Sequence, residues 1–321
     1  MKKILVVFNA VLILSAGLIC TSCDNDEKEI KSSIIEGLTI DNYPKVDGST
    51  STGPLNTIIA CKLLNVKYKW VQDFNNIQKV KPNLSKKNSD KIQEQIKSSQ
   101  THQSFINLIN GDAELILSAR KLSSDEKAHA EAAGVSLIET PIALDAFVFI
   151  VHPVNSIKSL TTKQVQNIYT RKITNWKEVG GNDAEIKPYV RNANSGSQEL
   201  METLVMKDLD ISQLPESPYE LMAFSMTGAF EVVDRDKNSI CYTVFYYKEQ
   251  IITETPVKSI AIDGIYPDKK TISNKSYPYV AEVYAVIRSD LDKSSMAYKI
   301  YDWLQTSTGK EVINESGYVA Y

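Results

Sequence analysis

The chain has 321 residues, of which 43% are hydrophobic and 23% are charged, and its formal net charge is −3. This mildly acidic balance does not favour a nucleic acid or an anionic membrane surface as a partner. A chain of this length is longer than a single hydrophobic core usually accommodates, so two domains of about 120–150 residues are expected.

Residues 1–22 have the composition of a secretory signal. A basic start precedes an apolar run over residues 4–19, which is too short to predict a membrane span. Cys23 and the polar stretch after it resemble a bacterial lipoprotein signal, whose mature chain begins at a lipidated cysteine. Cys20 is a second, weaker candidate for the lipidated cysteine. A secretory signal without lipidation is the alternative. Removal of this segment leaves 34 basic and 39 acidic side chains, so the net charge becomes −5.

The next part of the chain contains the first recognisable turn and helix. Residues 23–35 are polar and predict a tether, and residues 38–40 predict a short strand. The hydroxyl-rich turn Ser49–Thr52 leads into an apolar-periodic helix with Pro54 in its first turn. Residues 72–98 are rich in lysine with interleaved acids, which predicts an exposed loop and a solvated helix.

A buried strand is predicted at residues 114–117, and Ser118 and Arg120 follow its carboxyl end. Ser123 and Glu126 have the spacing of a capping box and predict the start of a helix.

The strongest strand signals lie at residues 135–138 and 146–151, with an extended segment between them. Further strands are predicted at residues 186–190, 240–245 and 280–287. Because strands and helices alternate, the fold class is α/β with largely parallel sheets.

The turn after residue 190 carries the clearest functional pattern. Arg191 stands four residues before Ser195-Gly196-Ser197, and the spacing of Ser195 and Gln198 predicts a capping box and the start of a helix. The free N–H groups and the dipole of a helix start form an anion site, and an arginine can bind an oxyanion through two parallel hydrogen bonds. An ordinary N-cap beside a surface arginine is the alternative.

Ligands of α/β sheets bind beyond the carboxyl ends of the strands, where three hydroxyl-rich turns are predicted to lie. The candidate binding residues in these turns are Ser49, Thr50, Ser51, Ser118, Arg120, Arg191, Ser195, Gly196 and Ser197.

The remaining chemistry-bearing residues do not favour a catalytic or metal centre. The three histidines lack the spacing of metal ligands, and no Gly-x-Ser-x-Gly elbow surrounds the serines. Cys61 and Cys241 lie in apolar contexts, which predicts buried free thiols rather than a disulfide.

Several segments together resemble the phosphate-binding, periplasmic-type substrate-binding proteins of ABC transporters. These segments are residues 47–50, 141–145, 172–181, 191–197 and 315–319. The resemblance covers roughly residues 35–321 and implies a type 2 periplasmic-binding-protein clamshell, in which two α/β lobes with mainly parallel sheets are joined by two crossings. Lobe 1 would comprise residues 36–143 and 248–321, and lobe 2 would comprise residues 144–247.

The resemblance also implies a function. Phosphate or a similar small oxyanion would be held by Thr50 and Ser51 of one lobe and by Arg191 and Ser195–Ser197 of the other. The protein would be a lipid-anchored monomer of the cell envelope, periplasmic or surface-facing, that delivers this ligand to an ABC transporter permease. No enzyme activity, cofactor or metal is expected. Oxyanion sensing without transport is the alternative, and a secreted phosphoesterase is the third hypothesis.

The chain departs from the family at the end of the strand over residues 114–117. The family places an aspartate beside the serine there, where it accepts the proton of hydrogen phosphate, whereas Ala119 and Arg120 follow Ser118 here. A carboxylate acceptor lets a site prefer a protonated oxyanion over sulfate. The departure therefore predicts weak discrimination, unless His102 or Asp145 supplies the acceptor.

Overall fold

The computed structural model describes residues 34–207, 209 and 219–321. The predicted signal over residues 1–22, the lipidation candidate Cys23 and most of the tether lie outside the described residues. Within these three ranges, the structure contains no helix that is long and apolar enough to cross a membrane.

The described residues form an α/β structure with short strands, two long strands and ten α-helices. The strands are β1 Val46–Gly48, β2 Tyr68–Gln72, β3 Gln78–Pro82, β4 Leu115–Ser118, β5 Leu137–Val151, β6 Ser159–Leu160, β7 Lys187–Pro188, β8 Val190–Arg191, β9 Met222–Ala223, β10 Ser239–Val244, β11 Lys258–Ser259, β12 Ala261–Ile262, β13 Val280–Arg288 and β14 Val319–Ala320. The helices are α1 Gly53–Leu63, α2 Lys86–Gln95, α3 Thr101–Asn110, α4 Ser124–Ala132, α5 Thr162–Tyr169, α6 Gly196–Leu200, α7 Met226–Arg235, α8 Lys269–Ser273, α9 Met296–Trp303 and α10 Ser307–Ser316.

Strand β5 links the two lobes, because its two ends belong to different sheets. From Leu137 to Ala146 it pairs with β13, and from Phe147 to Val151 it pairs with β10. The strand order is β1-β4-β13-β5-β10-β7. The first crossing between the lobes therefore lies within β5, and the two strands predicted at residues 135–138 and 146–151 are one continuous strand.

The two-lobed α/β fold expected from the sequence is confirmed, and the pairing shows where its strands run parallel. The pairs β1–β4, β7–β10, β6–β12 and β8–β9 are parallel. Strand β13 is antiparallel to both β4 and β5, and β10 is antiparallel to β5.

Asp145 joins the two crossings. Its Oδ1 accepts hydrogen bonds from the N–H of Ala146 on the first crossing (2.8 Å) and from the N–H of Tyr246 (2.9 Å), which directly precedes the second crossing, predicted at residues 247–248. The ring of Tyr246 stacks on that of Tyr318, with centroids 3.7 Å apart. The C-terminal segment thus packs directly on the second crossing.

The boundaries of lobes 1 and 2 remain a prediction. Strand β11 pairs with β5 at Ile150 and Val151, and β12 pairs with β6. The segment that contains β11 and β12 therefore lies against strands of residues 150–160.

Two local predictions were wrong. Residues 38–40 form no strand, although Leu38 and Ile40 are buried, and the first strand of the sheet is β1. Residues 68–82 form the β2–β3 hairpin, although an exposed loop was predicted from residue 72 onward, whereas the predicted solvated helix is α2, with Ile92 as its buried residue. Lys69 pairs with Lys81 on one face of the hairpin, and this lysine face obscures the apolar alternation on the other.

The core confirms the prediction for the cysteines. Cys61 and Cys241 are buried free thiols, and burial raises the pKa of each to about 12. Both therefore stay protonated at neutral pH and act as small apolar side chains.

Candidate functional site

A cavity of about 260 Å³ lies between the two lobes, at the carboxyl ends of β1 and β8. It brings together seven of the nine predicted binding residues: Ser49, Thr50, Ser51, Arg191, Ser195, Gly196 and Ser197. Among the described residues that line it, none is an aspartate, glutamate, histidine or lysine. The described polar groups of the walls are therefore hydroxyls, backbone N–H groups, the amide of Gln100 and the guanidinium of Arg191.

The wall from lobe 1 is built around the hydroxyl of Ser49. This oxygen accepts a hydrogen bond from the N–H of Ala119 (2.9 Å) and lies 2.8 Å from Oγ1 of Thr101, the first residue of α3. The carbonyl of Ser51 accepts a hydrogen bond from the Tyr318 hydroxyl (3.1 Å). The turn that starts α1 is thus fixed in place by the start of α3, the end of β4 and the C-terminal segment.

Arg191 forms the opposite wall, and its charge has no anionic partner in the described residues. Its side chain is buried, with Nε donating to the carbonyl of Ala223 (2.6 Å) and Nη1 to the sulfur of Met226 (3.3 Å). No described carboxylate forms an ion pair with it. Burial lowers the pKa of the guanidinium from its ordinary value, yet arginine stays protonated in proteins. A buried, unpaired cation therefore faces the cavity.

The turn after Arg191 begins α6, as predicted. Ser195 is the N-cap, and its hydroxyl accepts from the N–H of Gln198 (3.2 Å). The reciprocal half of the predicted capping box is absent, because the side-chain oxygen Oε1 of Gln198 accepts instead from the N–H of Arg191 and the hydroxyl of Tyr242. Gln198 therefore fixes the backbone of the arginine rather than the start of the helix.

The two walls approach closely at Gly196. A Cβ added there would lie 2.5 Å from Oγ1 of Thr101. Because Thr101 belongs to lobe 1 and its hydroxyl is bonded to Ser49, glycine permits the two halves of the site to meet.

Sequence reasoning did not assign two of the helix starts that surround the cavity to the binding site. One is Thr101 at the start of α3, and the other is the start of α7, where Ser225 is the N-cap and Met226 and Thr227 also line the cavity. Each of these helices has a hydroxyl side chain at its start, and such a residue before a helical pattern can be recognised in a sequence. The convergence of these starts with those of α1 and α6 depends on tertiary structure.

Ser118 and Arg120 do not line the cavity, so the structure does not bring these two predicted binding residues to the site. The hydroxyl of Ser118 is buried and donates to the carbonyl of Arg120 (2.6 Å). The guanidinium of Arg120 donates through Nη1 and Nη2 to the two oxygens of Glu126, both at 2.7 Å, and lies over the ring of Phe105. The carboxylate of Glu126, six residues along the chain, turns Arg120 away from the cleft.

The two proposed substitutes for the missing acceptor also lie elsewhere. Nδ1 of His102 is 3.0 Å from Oε1 of Glu126, so this ring belongs to the Arg120 cluster. Asp145 is buried between the crossings and does not line the cavity, and burial raises its pKa to about 7. Residue 119 does line the cavity, as the family pattern implied, but it is an alanine.

Comparison with known proteins agrees with the resemblance seen in the sequence. The phosphate-binding protein PstS of Borreliella burgdorferi is 27% identical over 184 residues, which cover 56% of this chain and 65% of that protein. PstS of Bacillus subtilis is 25% identical over 57% of this chain and 58% of its own length. The chain therefore spans less than two thirds of these curated relatives.

The fold also matches solved structures. One is a Clostridium perfringens protein described as a phosphate ABC transporter substrate-binding protein and solved with bound phosphate; it is 25% identical, with a TM-score of 0.65 over 86% of this chain and 98% of the other. The sequence profile of the PBP superfamily domain matches residues 68–306, which is more than half of the chain. The chain therefore belongs to the family that the PBP superfamily domain defines.

Proposed function

We propose that this protein is an extracytoplasmic solute-binding protein that captures phosphate or a similar small oxyanion between its lobes for uptake by an ABC transporter. The observation that carries the proposal is the buried guanidinium of Arg191, which faces a cavity of hydroxyl and N–H donors without a carboxylate partner. A buried charge without compensation is costly, so an anionic ligand would stabilise this arrangement. The starts of four helices add donors and favourable dipoles.

The relatives support the same assignment. Two curated relatives are named phosphate-binding proteins, and the similar Clostridium perfringens structure contains phosphate. Under this proposal the chain is a monomer anchored to the cell envelope through lipidated Cys23, and an ABC permease is its partner. Oxyanion sensing without transport would use the same cavity. A phosphoesterase is disfavoured, because the described lining residues provide no general base for a serine nucleophile.

The test is a calorimetric titration of the purified, ligand-stripped protein with phosphate and with sulfate. We expect one anion per chain, and we expect Arg191→Ala to weaken its binding at least tenfold, because charge-assisted hydrogen bonds contribute about 1.5–3 kcal/mol. Arg235→Ala is the matched control, since Arg235 is an exposed arginine on α7 that does not line the cavity. Absence of binding in the unmodified protein, or equal affinity in Arg191→Ala, would refute the proposal.

A further inference from the structure

A second cavity of about 380 Å³ adjoins the anion cavity. Both are lined by Thr50, Ile77 and Tyr247, so their walls are continuous. The second cavity, here called the side groove, is enclosed by the first turn of α1, strand β3, helix α2 and the second crossing. A ligand bound to Arg191 therefore has free volume next to it on the side of lobe 1.

The side groove has the lining of a site for an uncharged, carbon-rich group. Pro54, Val80 and Ile92 contribute apolar surface, and the described polar residues that line it are mostly neutral. Lys79 is the exception, but its ammonium lies 2.7 Å from the carboxylate of Asp73 and its side chain is 60% exposed. Burial raises the pKa of Tyr247 to about 12, so this shared wall is neutral as well.

The size of the two cavities exceeds what an inorganic anion needs. Pockets for organic ligands are typically about 300–1,000 Å³, whereas inorganic phosphate has only five non-hydrogen atoms. The unpaired guanidinium of Arg191 lies on the anion cavity, whereas the described polar residues of the side groove are neutral amides and hydroxyls, apart from the ion-paired Lys79. A ligand that fills both would have a charged tetrahedral end and an apolar end.

We propose that the site takes monosubstituted tetrahedral oxyanions, the phosphonates and phosphate monoesters, with the organic group in the side groove. Their three terminal oxygens meet the donors around Arg191, and the fourth substituent points past Thr50 and Ile77. This inference rests on the proposed function, because it places the anion in the same cavity.

The experiment compares three probes by calorimetry: inorganic phosphate, methylphosphonate and phenylphosphonate. The methyl group is too short to fill the side groove, whereas the phenyl ring buries apolar area there. We expect phenylphosphonate to bind about tenfold more tightly than methylphosphonate.

Two variants test whether the side groove is responsible. Ser89 lies on α2 and lines the groove, so Ser89→Trp is expected to fill it and abolish the gain from the phenyl ring while phosphate affinity stays within about threefold. Glu94→Trp is the matched control, because Glu94 is an exposed residue of the same helix outside the groove. If Ser89→Trp also loses phosphate binding, Gln93→Trp, at an exposed position that lines the groove, replaces it.

The outcomes separate the two proposals. If phosphate binds but phenylphosphonate gains nothing over methylphosphonate, the side-groove inference is overturned and the proposed function stands. The side-groove inference is also overturned if phenylphosphonate still binds more tightly than methylphosphonate in the groove-filling variant. If no probe binds, the proposed function itself fails. Binding of phenylphosphonate with loss of the gain in the groove-filling variant supports the inference.

Discussion

Arg120 and Arg191 are both 6% exposed, and both follow or end a strand on the cleft side of a lobe. Arg120 makes a bidentate ion pair with the buried Glu126. The carboxylate of Glu126 also accepts a hydrogen bond from the N–H of Ser123 (2.8 Å). Arg191 has backbone and sulfur partners but no described carboxylate. The location of an arginine at a strand end thus does not by itself predict a binding residue, and the lack of a described carboxylate beside Arg191 is what supports its proposed role.

The largest expected effect separates the two arginines by stability. Glu126→Gln should lower the free energy of unfolding by about 3–5 kcal/mol, because it leaves Arg120 buried without a compensating charge. Arg191→Ala should change the ligand-free protein by about 1 kcal/mol or less, since no ion pair is broken. Urea unfolding followed by circular dichroism measures both.

The pH dependence provides the control for this comparison. Burial alone would raise the pKa of Glu126, but the bonds from Arg120, Ser123 and His102 together lower it below its ordinary value. Its stabilising contribution is therefore present above the unfolded carboxyl pKa of about 4.3 and is lost as the pH falls through the folded value. The deficit of Glu126→Gln should be full at pH 7 and shrink in acid. Equal losses in the Glu126 and Arg191 variants would contradict the distinction.

A second change leaves Arg191 in place and alters only the approach of the lobes. Gly196→Ala is expected to weaken phosphate binding by about 1–3 kcal/mol, because the added methyl group lies against Thr101. Titration calorimetry measures the loss. If steric contact is the cause, the penalty should shrink in a Thr101→Ala background. An unchanged penalty there would show that the methyl group acts in another way.

The smallest expected effect comes from giving the cavity of Arg191 a carboxylate. Ala119→Asp restores the acceptor that the family pattern places there, so the preference for hydrogen phosphate over sulfate should rise several-fold, by about 1 kcal/mol. Competition binding at pH 8 is the measurement. The unmodified protein should discriminate weakly, and a strong preference for phosphate would show that hydroxyls suffice as acceptors.

The sequence predicted those parts of the site that follow from local chemistry. Ser49–Ser51 and Arg191–Ser197 were found because hydroxyls and glycine at strand ends are a local signal, and the structure places both turns at one cavity. The role of Arg120 was not predicted, although the capping box of Ser123 and Glu126 was, because the box predicts the bond of the carboxylate to the N–H of Ser123 but not its ion pair with Arg120. Thr101 was not among the predicted binding residues, since its position beside Gly196 depends on the meeting of the lobes.

The fold class could also be predicted from the alternation of strands and helices, but the pairing order could not. Strand β13 lies between β4 and β5, and nothing in its apolar run shows that it inserts there. Likewise, periodicity alone could not show that the strand signals at residues 135–138 and 146–151 belong to one strand shared by two sheets.

The position of β13 governs the order in which this protein can fold. Residues 115–118 and 137–146 enclose a gap in the sheet that residues 280–288 must fill, and β14, formed by Val319 and Ala320, pairs with β5. Contacts so distant along the chain require loop closure before they stabilise anything, which slows folding. The first lobe therefore cannot be completed until β13 and β14 have been synthesised, whereas the strands around β10 come from a nearly continuous segment and can assemble earlier.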